Sequence, residues 1–216
     1  MVAAAVIGLI VAGILREKKR REAMAAVAAR LGLAFDPQKN HEFARSYQFL
    51  DRLCQGSDRY SFNTMSGVYD GENVAAFDFH YETHSTDSKG RRQAHHHHFS
   101  FFILVLPVPF PELTIVREGI FSKIAQAVGY DDIDFESHEF SRKYCVRSRN
   151  KKFAYDVCNP RMIEYLLANR DLTIEIENRA LGIGFDSRLD PSKIEVNLKR
   201  LVRVRRLIPD YVFEGH

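Results

Sequence analysis

The sequence predicts an α+β protein: an N-terminal membrane helix followed by a mainly antiparallel sheet domain with interspersed helices. Three observations carry this. Segments of period two come as neighbours joined by turn signals, as hairpins do. Segments with apolar residues three and four apart stand between and after them. The first fifteen residues, MVAAAVIGLIVAGIL, hold no charge, and REKKRR follows at once.

A membrane-crossing helix wants about 20 apolar residues, and fifteen rise only about 22 Å. Snorkelling of Arg and Lys stems and local thinning cover part of the gap, and a start a few residues upstream would lengthen the run. A secretory signal places its cations before the apolar core; here they come after it. Basic residues stay on the cytoplasmic side. The expectation is a single-pass anchor (1–15) in the inner, cytoplasmic membrane with its N-terminus outside. A basic juxtamembrane helix (16–33) and a cytoplasmic α+β domain (34–216) follow. Arg16, Lys18, Lys19, Arg20 and Arg21 would face lipid headgroups, at about 1 kcal/mol each against anionic lipid.

Along the domain, Glu22–Leu33 reads as helix with Gly32 as its stop, and Phe35-Asp36-Pro37 as a turn. His41–Leu53 has Phe43, Tyr47 and Leu50 at helical spacing. Tyr60–Val68 and Val74–Thr83 read as strands around the Asp70-Gly71 turn, and Ser85–Gln93 as a polar hairpin loop. Ala94–Leu106 reads as a third strand closed by Pro107, Pro109 and Pro111, and Leu113–Arg117 as a fourth. Ile120–Val128 is a predicted helix, with Gly129 as its stop. Tyr144–Ser148 reads as a strand, Lys151–Cys158 as a helical turn or two, and Asn159-Pro160 opens a helix. Leu172–Asn178 alternates cleanly and reads as the hairpin partner of Ala180–Phe185. Asp190-Pro191 opens a last helix through Leu207, with Ile194, Leu198, Leu201 and Val202 as its buried stripe.

Most chemistry-bearing patterns are missing. Cys54, Cys145 and Cys158 are odd in number and widely spaced, so neither a disulfide framework nor a cysteine zinc site is signalled. There is no GxSxG, HExxH or phosphate loop, and Gly182 and Gly184 lack the third glycine of a dinucleotide fingerprint. The acidic stretch Asp131–Phe140 lacks the EF-hand ligand pattern. A formal charge of +3 does not argue for nucleic acid, and aromatic residues are not interleaved with the basic stretch Lys199–Arg206. That stretch suits headgroups or an acidic partner.

What remains is AHHHHFSFFILVL, Ala94 to Leu106. The histidines are internal and run into a core strand, which does not fit a terminal tag. If Phe77 opposes Phe99, then Asp78 opposes His98 and His80 opposes His96, and Asp78, His80, His96 and His98 share one face. Zinc or nickel would suit that nitrogen-rich set. A one-residue slip would group His80 with His95 and His97 instead. The plainer alternative is a solvated strand end.

The order of segments completes the reading: an apolar N-terminus, then AARLGLAFDP, LDRLCQG, NTMSGVYDGENVAAFDFHYET and FPELTIVREGIFSKIAQAVGYDDIDFESHEFSRKYCV. It resembles a group of small, membrane-anchored, uncharacterised bacterial proteins with one α+β domain, DIDFE…EFSRKY being the most telling part. The resemblance implies membrane attachment and no known activity. The expected function is a cytoplasm-facing interaction or scaffold domain at the membrane, not an enzyme, with a protein partner in a membrane complex. The alternative is a metal-dependent enzyme or metal sensor built on the hairpin histidines.

Overall fold

The computed structural model describes residues 2–87, 89–117 and 133–214. The predicted helix Ile120–Val128, with Gly129, and the start of the acidic stretch lie outside them. The chain opens with helix α1 (Val2–Leu31), whose turn out at Gly32 takes a φ of 70°. Strand β1 (Ala34–Asp36) stands where a plain turn was expected, because Phe35 pairs with Met65. Helix α2 (His41–Ser46), capped by Asn40 Oδ1 accepting from Phe43 N, is shorter than predicted, and turns carry the chain from there to Leu53. Strands β2 (Ser57–Tyr69) and β3 (Glu72–Thr86) flank Asp70-Gly71, both at positive φ as a tight hairpin turn requires.

Strand β4 is the spine. It runs unbroken from Arg92 to Arg117, 26 residues, so the two strands read on either side of the prolines are one. The three prolines are tolerated because the ladder is thin there. Pairing with β3 stops at Leu104, and pairing with β5 (Tyr144–Arg147) begins at Thr114. On the other edge, the register with β6 (Thr173–Phe185) shifts between Val105 and Leu113. A missing N–H costs little where no acceptor waits for it. The Arg179 guanidinium donates to the Leu106 and Pro107 carbonyls in that gap. Strand β6 is likewise continuous, and its two halves pair with two stretches of β4, the middle (100–105) and the part before its C-terminal end (113–115), and not with each other. Its glycines serve close packing: a Cβ on Gly182 would lie 2.3 Å from the Phe101 ring.

Short helices α3 (His138–Lys143), α4 (Lys151–Val157) and α5 (Pro160–Ala168) follow β4 and β5; α6 (Ile194–Leu207) and α7 (Tyr211–Glu214) follow β6. Asn159 caps α5, with Pro160 at its first position. The strands alternate, so the sheet has two apolar faces. On one, Val74, Ala76, Phe102 and Leu104 pack with Met24 and Ala28 of α1, helices α4 and α5, and the Ile194, Leu198, Leu201 and Val202 stripe of α6. On the other, Phe77, Phe79, Phe99 and Phe101 lie under Ala44, Leu50 and Leu53. The class is therefore α+β around one mainly antiparallel sheet. The N-terminal membrane helix is not borne out as a span: among the described residues, no helix is long and apolar enough to cross a membrane. The apolar run ends at Leu15, and α1 continues through the cations onto the sheet.

One buried acid lies on the second face, beside Arg52. Glu175 on β6 accepts from the Arg52 backbone N–H at 3.1 Å, and its other oxygen has no hydrogen-bond partner among the described residues. Burial pushes its carboxyl up to about 7. A raised carboxyl pKa means the fold holds the proton more tightly than the unfolded chain does. That contribution is full below the unfolded value of about 4.3 and is lost as pH rises through about 7. Glu175→Gln removes the dependence. Urea denaturation from pH 5 to 8 should show the variant gaining on the parent by up to roughly 3 kcal/mol, and parallel curves would refute the assignment.

Candidate functional site

The β3–β4 hairpin carries Asp78, His80, His96 and His98 on one face, but in a different register from the one expected. Phe77 opposes Phe101 and Phe79 opposes Phe99, so His80 meets His98 and Glu82 meets His96. The shift is two residues, which preserves the face and changes the partners. It arises because the strands run on to Thr86 and Arg92, leaving a tight turn in which Asp87 accepts from the Lys89 and Arg91 backbone N–H groups.

Asp78 is not available to a metal. Fully buried, it accepts from Arg20 Nη2 at 2.6 Å, Asn63 Nδ2 at 2.8 Å and the Leu189 backbone N–H at 2.7 Å. Arg20 also donates to the Leu189 carbonyl and to Glu17. The arginine read as a headgroup contact is thus largely covered by protein, while Arg16, Lys18, Lys19 and Arg21 remain exposed. Sequence spacing could not reveal an ion pair 58 residues apart.

The histidine end is built differently. His80 is 3% exposed; its Nδ1 lies 3.1 Å from the Asp58 carbonyl and its ring stacks on Tyr60. Its Nε2 lies 3.1 Å from His96 Nδ1, which in turn is 3.1 Å from Glu82 Oε1. One ligand atom each from His80, Glu82 and His96 lies within 4.8 Å of the other two. Glu82 was missed as a site residue because the assumed register set it opposite no histidine; its alternation with Asp78 and His80 was the available signal. His98 packs beside His80, ring centroids 4.9 Å apart, outside this trio. Burial, then the neighbouring His80, holds His98 below the usual histidine range. It lines a pocket of about 270 Å³ with Glu17 and Arg21 of α1, Lys39, Tyr60 and Arg188. His95 and His97 point to the opposite face, against Ser85 and Thr83.

Two irregularities in β2 aim these groups. Its pairing with β3 shifts between Ser57 and Tyr60 and again between Phe62 and Met65. Asp58 and Asn63, at φ 46° and 50°, sit in those shifts. The first turns the Asp58 carbonyl onto His80; the second turns the Asn63 amide onto Asp78.

Fold and site together define an α+β domain with a long N-terminal helix fixed across one face of an antiparallel sheet. No protein-family model and no curated protein matches the chain. Among solved structures it is similar to the crystal structure of the mycobacterial trehalose monomycolate transport factor A, TtfA. The TM-score is 0.62 at 12% identity, covering 88% of this chain and 96% of that one. At that identity the likeness is one of fold, with a bacterial protein.

The Asp78 cluster yields a direct expectation. Asp78→Ala leaves the Leu189 N–H and the Asn63 amide without their acceptor and strips Arg20 of its buried counter-charge, leaving it Glu17 and the Leu189 carbonyl; it should lower unfolding free energy by about 3–5 kcal/mol in chemical denaturation. A loss below about 1 kcal/mol, the range of a surface pair, would show the cluster to be incidental.

Proposed function

We propose that the chain is a membrane-attached, cytoplasm-facing interaction domain, held at the inner membrane by its N-terminal residues and serving as an accessory part of a membrane complex. One observation carries the reading. Ile10, Val11, Ile14 and Leu15 are 57%, 49%, 63% and 53% exposed on α1, immediately before the cations. Apolar side chains standing out from a helix in this way suit hydrocarbon, and Arg16, Lys18, Lys19 and Arg21 suit anionic headgroups beside it.

Insertion of these turns suffices for attachment; crossing an unthinned bilayer would need more length. The cations directly after the apolar turns favour the cytoplasmic face for the domain. Because α1 runs on into the core at Met24 and Ala28, attachment also sets the pose of the domain. An accessory role in transport rests only on likeness of fold to a protein named a transport factor.

Flotation of the full chain with phosphatidylglycerol–phosphatidylethanolamine vesicles tests this. The chain should float with the vesicles. Replacing Arg16, Lys18, Lys19 and Arg21 by Gln should weaken binding by about 1,000-fold at low salt, and high salt should shrink the difference. A chain left at the bottom of the gradient, and in the high-speed supernatant of lysed cells, refutes the reading.

A further inference from the structure

We propose that His80, Glu82 and His96 form a binding site for one divalent transition-metal ion of the zinc class. Their ligand atoms, two imidazole nitrogens and a carboxylate oxygen, lie within 4.8 Å of one another, a span one ion can bridge by drawing them inward. All three sit on paired strands of a continuous sheet, where Glu82 faces His96 directly, so little chain entropy is spent in assembling them.

The deepest ligand is already oriented. His80 Nδ1 is 3.1 Å from the Asp58 carbonyl, which accepts only, so Nδ1 carries the proton and Nε2 keeps its lone pair. That lone pair points at His96. A backbone carbonyl behind a ligating imidazole is the usual outer support of metal-bound histidine. Here it is supplied by a non-glycine residue held at φ 46° within a register shift. Tyr60 stacks on the same ring, ring centroids 4.4 Å apart, and fixes its plane. His96 needs only to carry its proton on Nε2 to present Nδ1, and its exposed ring can exchange that proton with water. The carboxylate of Glu82 offsets part of the ion's charge.

Burial falls from His80 to Glu82 to His96, giving a deep ligand and a solvent-facing entry. Three protein ligands leave a fourth position for water, the arrangement of open zinc sites. Two nitrogens and one carboxylate favour zinc, cobalt or nickel over magnesium and calcium, which seek oxygen alone. The site is independent of membrane attachment.

The test is calorimetric titration of zinc into the metal-stripped full chain in mild detergent, purified without an added tag. One equivalent should bind, and magnesium should not. His96→Ala and Glu82→Gln alter rim residues that the core does not need, and should weaken binding by about 100-fold and about 10-fold. His80→Ala should match His96→Ala if it folds; the rim variants decide the matter if it does not. The double variant His95→Ala/His97→Ala removes as many imidazoles from the opposite face and should leave affinity unchanged. No binding overturns the proposal, as does a loss in the double variant equal to that in His96→Ala, which would mark the run as a loose chelator.

Discussion

A carboxylate with no access to water must find its full complement of donors inside the protein, and the arrangement around Asp78 follows from that requirement. Both of its oxygens are engaged, by donors from three separate parts of the chain. The Leu189 peptide is gripped at both ends, its N–H by Asp78 and its carbonyl by Arg20. Helix α1, strand β3 and the link between β6 and α6 are thereby fixed to one another, and Asn63 adds β2. Ion pairs of this kind contribute little net free energy over an apolar substitute. Here the pair ties α1 to the sheet at one point, where Arg20 reaches the acid.

Asp78 and His80 are two residues apart on the same strand face, yet their circumstances are opposite. Donors close over Asp78 completely. His80, one pleat further along, is supported by a carbonyl and a tyrosine but keeps a ring nitrogen directed at other potential ligands. The boundary between the two is where α1 leaves the sheet. Glu17 pairs there with Arg20, Arg21 and Arg188, and shares a pocket with His98. The basic turn of the N-terminal helix and the histidine hairpin are thus neighbours in space.

Local rules read most of the elements from the sequence. The Asp70-Gly71 turn, the Asn159-Pro160 cap and the apolar stripe of α6 are each settled within a few residues, and each stands where its chemistry puts it. What escaped was set by distant partners. Pro107, Pro109 and Pro111 read as a stop, but whether proline breaks a strand depends on whether a neighbour needs the N–H, and that is knowledge of topology. The junction at Asn178 read as a hairpin turn, and indeed has a φ of 51°, but it marks a kink in one strand whose two ends both pair with β4. For the site, alternation gave the face of the histidines correctly. Register, which decides whether Asp78 or Glu82 meets them, depends on a turn that the sequence does not delimit. Arg20 looked like its basic neighbours, and only the fold distinguishes it.

The reliance of every later pairing on β4 bears on how the chain is made. As synthesis proceeds, β1 to β4 can zip up as a meander of neighbours. The far edge of β4, with Phe101, Phe102 and Ile103, then stays open until residues 180–185 emerge to cover it. An apolar edge left bare is a template for another chain. The nascent protein is therefore most prone to aggregate late in translation, and chaperone demand should fall once β6 has left the ribosome.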